Sequence, residues 1–217
     1  MHMNDKRKTI SDLMLIYDGF IDKQNPDSYL GELIVWYMKA IQEKSKAVLI
    51  LLDASWHGGL IEIVRGQMEA AADLMLLISK PDHIEVILAR QNSTVISVVN
   101  RATSAKKAMT SVHKTLRDPL HGPMLMKAKA AAESMENRKG NKSFSDLVAE
   151  SGMDEGFYRY LSSFAHHNCA TLKIRFGSPS LSLGSVSDDL LLTMLQQVIK
   201  NMAGPMMKLA ERKNSDS

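Results

Sequence analysis

Apolar residues recur three and four positions apart along most of the chain, which is the spacing that places them on one face of an α-helix. Proline or glycine, which interrupt helices, separate these segments at Pro26, Gly58, Pro81 and Pro119. The pattern predicts helices over approximately 9–23, 29–56, 60–79, 83–116, 124–137, 143–150, 154–172 and 190–212. The third is apolar on nearly every side, which is typical of a central helix. The sequence therefore predicts an all-α protein, a single bundle of about six to eight helices.

One segment near the end of the chain departs from the helical spacing. Polar and apolar side chains alternate in a run before Gly177 and again in a run after Pro179. Such alternation is typical of strands joined by a turn, so it indicates a small β-hairpin near 171–184. We expect one domain, 1–217, with flexible ends at 1–8 and 213–217 and loops at 118–123 and 138–142.

The composition narrows the class of protein. A chain of 217 residues that is 45% hydrophobic can bury a sizeable core. Its 27 basic and 24 acidic residues leave a net charge of +3, too small to attract nucleic acid or membrane through bulk charge. The apolar runs are far shorter than the ~18 residues of a membrane span, so we expect no membrane partner. One cysteine, and an N-terminus without the apolar core of a signal peptide, predict a cytoplasmic protein.

Aromatic side chains, and polar side chains of the types that take part in catalysis or binding, are concentrated between Phe157 and Leu172. In a helix, which turns by about 100° per residue, Arg159, Ser162 and His166 fall within about 60° of one another. The opposite side is apolar and consists of Phe157, Tyr160, Leu161, Phe164 and Leu172. Arg159 and His166 are nearly two turns apart and can present to one point. This helix is therefore predicted to have a core face and a polar face.

The spacing of Arg159 and His166 resembles the Arg-x4–6-His motif of the HEPN superfamily, the higher eukaryotes and prokaryotes nucleotide-binding helical bundles. Many members are metal-independent endoribonucleases in which two protomers each contribute an arginine and a histidine. The resemblance implies a homodimer that cleaves RNA in a toxin or phage-defence setting, without a cofactor. Arg159 would stabilise phosphate charge and His166 would exchange protons, with Tyr158 and Ser162 orienting them.

A second resemblance covers the chain from about Trp56 to the last helix. An Arg-x-x-x-Glu helix, with Arg65 and Glu69, is followed by a Tyr-x-x-x-Ser-x-x-x-His helix that contains Tyr158, Ser162 and His166. This pairing is similar to that of a family of bacterial helical proteins of unknown function. It implies that Arg65 and Glu69 belong to the same polar network as the later helix.

Two other functions are compatible with these residues. Arg65 and Glu69 on an apolar helix favour a buried ion pair or a hydrogen-bonding hub between helices over a catalytic role. The polar cluster would then be structural, and the protein would be a non-catalytic interaction module. A small-molecule or nucleotide-binding bundle is the third interpretation.

Two kinds of active site are disfavoured by the sequence. Adjacent His166 and His167 point about 100° apart on a helix, and no His-Glu-x-x-His occurs, so we expect no metal despite the nearby Cys169. Ser162 is not surrounded by the Gly-x-Ser-x-Gly elbow of a serine hydrolase.

Overall fold

The computed structural model describes residues 3–22, 26, 28–91, 94, 130, 143–165 and 186–215. The chain divides into two compact units, one formed by Met1–Pro81 with Ser143–Ser217 and the other by Asp82–Lys142. In the second unit, residues 83–91 are helical, and His83 and Ile87 are buried. That the chain forms one domain stays a prediction.

The first unit is built from helices. Their bounds are α1 Met3–Ile21, α2 Tyr29–Asp53, α3 Leu60–Ser79, α4 Phe144–Glu150, α5 Glu155–Ala165 and α6 Asp188–Ser215, with a 3-10 turn at His57–Gly59. The predicted all-α fold is confirmed, since no strand occurs among the residues that the structure describes. The hairpin predicted near 171–184 and the loops predicted at 118–123 and 138–142 lie outside those residues. Within the same described ranges, no helix has both the length and the apolar character needed to cross a membrane.

The first helix begins at Met3, earlier than the Thr9 start that hydrophobic spacing predicts. Its added turns include part of the segment 1–8, for which the sequence predicts a flexible end. Lys6 in this part is buried and its ammonium group donates to Gln196 of α6. Polar contacts hold these turns against the bundle, and the spacing of apolar residues therefore does not predict that they are helical.

Short polar side chains fix where α4 and α5 begin. Ser143 accepts a hydrogen bond from the Asp146 N–H at 3.2 Å, and the Asp146 carboxylate accepts one from the Ser143 N–H at 3.1 Å. Asp154 accepts from the Phe157 N–H at 2.9 Å. These bonds satisfy N–H groups that lack a partner in a first helical turn. Between the two helices Gly152 has a φ of 81°, which is the left-handed conformation that glycine adopts without strain.

Helix α3 lies at the centre of the first unit, as its apolar sequence predicts. It packs against α2, α4, α5 and α6. Most of its length is buried, including the run from Ala70 to Leu74 and that from Leu76 to Ile78. Arg65 and Glu69 are its partly exposed charged pair on the side of α5. Helices α2, α4, α5 and α6 are therefore all positioned by their packing on α3.

A buried chain of hydrogen bonds joins α2, α3 and α6. The Gln67 side-chain amide donates to the Ser45 hydroxyl at 2.6 Å and to the Ile41 carbonyl at 3.2 Å. Asn201 donates to the Gln67 oxygen at 3.1 Å, and Gln197 donates to Asn201 at 2.8 Å. All four side chains in this chain are at most 5% exposed. Burying any of these polar groups without a partner costs free energy. The loss of one side chain therefore destabilises the groups that remain.

The buried Tyr17 hydroxyl donates to the Met202 carbonyl at 3.1 Å, linking α1 to α6. Burial raises the pKa of Tyr17 well above its ordinary value. Its folded pKa exceeds its unfolded one, so its contribution to stability is complete below about pH 10 and is lost as pH rises. We expect the free energy of unfolding to fall by up to about 1.4 kcal/mol per pH unit above that point.

Denaturant titrations between pH 8 and pH 11 measure this dependence. Tyr17→Phe is expected to be less stable at neutral pH by about 1 kcal/mol, since a hydrogen bond is lost, and to decline less steeply in alkali. An equal alkaline slope in both proteins would contradict the assignment to Tyr17.

Candidate functional site

Helix α5 has a core face and a polar face. Leu161 is fully buried and Phe164 is 9% exposed, as predicted. Tyr160 differs from the prediction because it is 46% exposed. Its ring lies at the edge of the core face, where it contacts the Phe164 ring at a centroid distance of 4.9 Å. Tyr158, by contrast, is 6% exposed and faces α3.

The polar face of α5 borders an open cleft of about 670 Å³. The cleft lies between α3, α4 and α5, and its lining consists of Arg65, Glu69, Ser143, Phe144, Ser145, Tyr158, Arg159 and Ser162. It brings together five of the six site residues predicted from the sequence. The sixth, His166, lies outside the described residues, as do His167 and Cys169.

Arg65, Glu69 and Tyr158 form a network that ties α5 to α3. The Arg65 guanidinium donates to the Glu69 carboxylate at 2.8 Å, and the Tyr158 hydroxyl donates to the same oxygen at 2.9 Å. The side chains of the ion pair are 26% and 19% exposed. Burial, assisted by the negative charge of Glu69, raises the pKa of Tyr158. Tyr158 therefore keeps its proton at neutral pH and acts as a donor to Glu69.

A second network joins α4 to α5 at the rim of the cleft. The Glu155 carboxylate accepts from Arg159 Nη2 at 2.6 Å and from the Ser145 hydroxyl at 2.9 Å. Arg159 also donates from Nε to Ser145 at 2.9 Å. The hydrogen bonds from Ser145 and then from Arg159 hold the pKa of Glu155 below its ordinary value. Arg159 remains 68% exposed, so a ligand can reach its guanidinium.

Two polar atoms of the cleft residues are buried and underused. The Ser162 oxygen and the Arg65 Nε make no hydrogen bond of ordinary geometry with any described residue. The Ser162 hydroxyl is nevertheless close enough to Tyr158 to favour the ionised form of that phenol. Because both atoms are buried, the donor that a ligand in the cleft reaches directly is the Arg159 guanidinium.

Two features of the cleft were not predicted from the sequence: the side formed by Phe144 and Ser145 of α4, called the α4 wall below, and the pairing of Glu155 with Arg159. The segment 143–150 was predictable as a short helix, but nothing in its sequence places Ser145 or Phe144 beside the polar face of α5. Glu155 is predictable from its spacing, because it precedes Arg159 by four residues and opposite charges at that spacing pair on a helix.

Comparisons with known proteins place the chain in a family without assigning it an activity. A family model described as a family of unknown function (DUF5677) matches residues 32–180. The matched range includes every predicted site residue. It begins before Trp56, the residue from which the sequence resembles a bacterial helical family of unknown function. No curated protein and no solved structure matches the chain. Within the described ranges, no group of three or more His, Cys, Asp and Glu side chains is placed to hold a metal ion.

Proposed function

The chain belongs to DUF5677, a family of unknown function, and we propose that its cleft between α3, α4 and α5 binds and cleaves RNA without a metal ion. The observation that carries this proposal is the position of Arg159. Its exposed guanidinium lies at the rim of an open cleft that also contains Tyr158, Ser162 and Arg65. An accessible arginine in an open cleft suits a phosphodiester, whose oxygens accept charge-assisted hydrogen bonds.

The chemistry requires few groups because RNA carries its own nucleophile, the 2′-hydroxyl. A general acid–base and a cation that stabilises charge on the phosphorus oxygens can suffice. Arg159 is the cation, and His166 is the group that exchanges protons. Tyr158 donates to Glu69 and is a positioning residue, since its bond holds α5 against α3. Ser162, whose hydroxyl is buried beside Tyr158, is a second positioning residue.

The proposed setting follows from the HEPN resemblance. Two protomers would each contribute Arg159 and His166 to one composite site, in a cytoplasmic homodimer that acts as a toxin or in phage defence. Size-exclusion chromatography with light scattering measures the number of chains. A monomer at every concentration that supports cleavage would remove the composite site from the proposal.

The direct test is RNA cleavage by the purified protein in excess EDTA. We expect cleavage by the wild type and a loss of about 10²- to 10⁴-fold in His166→Ala, because general acid–base catalysis contributes that much. Products should carry a 2′,3′-cyclic phosphate, which results from attack by the 2′-hydroxyl. If His166→Ala and Arg159→Ala both cleave at the wild-type rate, the proposal is wrong.

A second function is favoured by the two hydrogen bonds that Glu69 accepts. Glu69 already accepts from Arg65 and Tyr158, so these residues can act purely as a link between helices in a non-catalytic interaction or small-molecule-binding module. That function predicts a lower melting temperature for Glu69→Ala and Tyr158→Phe, and no cleavage by any variant. Stabilisation of the wild type by a nucleotide or other small molecule, without cleavage, would favour it.

A further inference from the structure

A second cavity, of about 380 Å³, lies within the first unit. It is bounded by α3, α6 and the turn that joins α4 to α5, and it shares no lining residue with the cleft. Its volume falls in the range of about 300–1,000 Å³ that is usual for small-molecule sites. Two methionines and three polar side chains contribute to its lining, and they are Met75, Met153, Asp154, Gln197 and Lys200.

The Gln197 amide gives this cavity a hydrogen-bond acceptor. Gln197 is 5% exposed and is the last member of the buried chain that runs through Gln67 and Asn201. Its nitrogen donates to Asn201, whereas its oxygen accepts from no described residue. That oxygen is not among the atoms that are sealed from solvent without a partner. It is therefore accessible, and the surface that Gln197 lines is that of the cavity.

Two opposite charges lie at the rim of the cavity. Asp154 accepts from the Phe157 N–H through Oδ1 and has no described partner at Oδ2. Lys200 is exposed. Neither forms an ion pair with the other or with another residue that the structure describes. A ligand that carries both charges can pair with both groups, whereas a ligand with one charge can pair with only one of them.

We propose that this cavity binds an amino acid that has an apolar side chain. The ammonium group of the ligand carries three N–H donors, which is enough for the Gln197 oxygen and the Asp154 carboxylate. The carboxylate of the ligand accepts from Lys200. The side chain packs on Met75 and Met153, whose flexible thioethers adapt to apolar groups and make favourable contacts with aromatic rings. The site is independent of the proposed RNA cleavage, because it shares no residue with the cleft.

Calorimetric titration of the full chain with L-phenylalanine tests this proposal, and two analogues each remove one charge of the ligand. L-Phenylalaninamide lacks the carboxylate and is expected to bind about threefold more weakly, because a charge pair at an exposed rim contributes little. 3-Phenylpropanoate lacks the amine and is expected to bind about tenfold more weakly, since it also loses the hydrogen bond to Gln197.

Two variants locate the ligand within the cavity. Lys200→Gln should weaken the binding of L-phenylalanine by about threefold and leave that of L-phenylalaninamide unchanged, because the amide has no carboxylate for Lys200 to contact. Asp154→Asn should weaken the binding of L-phenylalanine similarly and leave that of 3-phenylpropanoate unchanged. Asparagine caps a helix as well as aspartate does, so α5 should still begin at the same residue.

The matched controls are Lys39→Gln and Asp12→Asn. They make the same changes of charge at exposed positions outside the cavity, so they should alter each affinity by less than about twofold.

A third variant fills the cavity. A Cβ atom at Gly204 would lie 3.4 Å from the Met75 Sδ, which is an ordinary contact. In Gly204→Leu the longer side chain occupies space beside Met75, and binding of L-phenylalanine should fall by at least about tenfold. Gly19→Leu is the control, because a Cβ atom there meets nothing within 4 Å, and it should bind as the wild type does.

Three outcomes would overturn the proposal. The cavity is not an amino-acid site if neither L-phenylalanine nor L-leucine gives a saturable signal. It does not recognise both charges if L-phenylalanine binds no more tightly than its two analogues. The ligand lies elsewhere if Lys200→Gln and Asp154→Asn weaken binding no more than their controls do. Arg159→Ala, which tests RNA cleavage, should leave the binding of L-phenylalanine unchanged, so the failure of one proposal is distinguishable from that of the other.

Discussion

Replacement of Arg159 by alanine is expected to lower the rate of RNA cleavage by about 10²- to 10³-fold, the usual effect of removing one group that stabilises transition-state charge. Stability should hardly change. Arg159 is mostly exposed, and its partner Glu155 lies one turn away on the same helix. Such exposed pairs contribute less than about 1 kcal/mol. Initial rates on a fluorescent RNA oligonucleotide in EDTA, together with melting temperatures, measure both effects.

Two variants make this measurement specific. Arg159→Lys keeps the charge but not the planar fork of donors, so it should recover only part of the lost rate. Arg7→Ala is the control, because it removes an arginine that pairs with Asp53 on another part of the surface and should leave cleavage unchanged. If Arg7→Ala were as inactive as Arg159→Ala, the effect would belong to net charge and not to the cleft.

Gln67→Leu is expected to lower the free energy of unfolding by about 2–3 kcal/mol, because it removes hydrogen bonds and leaves buried groups unpaired. Asn201 loses its acceptor, and the Ser45 oxygen loses a donor. Leucine would fill much of the same volume, so the missing partners and not a cavity cause the loss. For a chain of this size the melting temperature should fall by roughly 5–10 °C.

The matched control for this substitution is Gln42→Leu. Gln42 donates to the Asp18 carboxylate at 2.6 Å and to the Met14 carbonyl at 3.3 Å, in a partly exposed position. Water can replace those bonds, so the cost should stay below about 1 kcal/mol. Urea titrations of both variants give the comparison. Equal losses of unfolding free energy in the two variants would show that the buried hydrogen bonds of Gln67 contribute no more to stability than the partly exposed ones of Gln42.

The central helix could be predicted from sequence because its signal is local. Apolar residues surround α3 on nearly every side, and a helix of that kind has nowhere to lie except inside a bundle. The start of α1 could not be predicted in the same way. Lys6 is buried because Gln196 of α6 offers an acceptor, and a sequence does not reveal a contact between residues so far apart.

The cleft, too, could be predicted only as far as local spacing along one helix allows. The helical period alone places Arg159 and Ser162 on one face of α5. Which helix covers part of that face depends on packing, so the α4 wall with Ser145 was not predictable. Ser45 shows the reverse difficulty. It stands in a polar run of α2 and reads as a surface residue, yet it is fully buried because Gln67 supplies its partner.

The buried hydrogen bonds of Gln67 also fix the position of α3 along its own axis relative to α2 and α6. Gln67 lies between Arg65 and Glu69 in sequence, but it points to α2 and α6 while they point to the cleft. If α3 slid along its neighbours by one residue, the amides of Gln67 and Asn201 would lose each other. The alignment of Arg65 and Glu69 with α5 is therefore set from the opposite side of the helix, by residues that never touch a ligand.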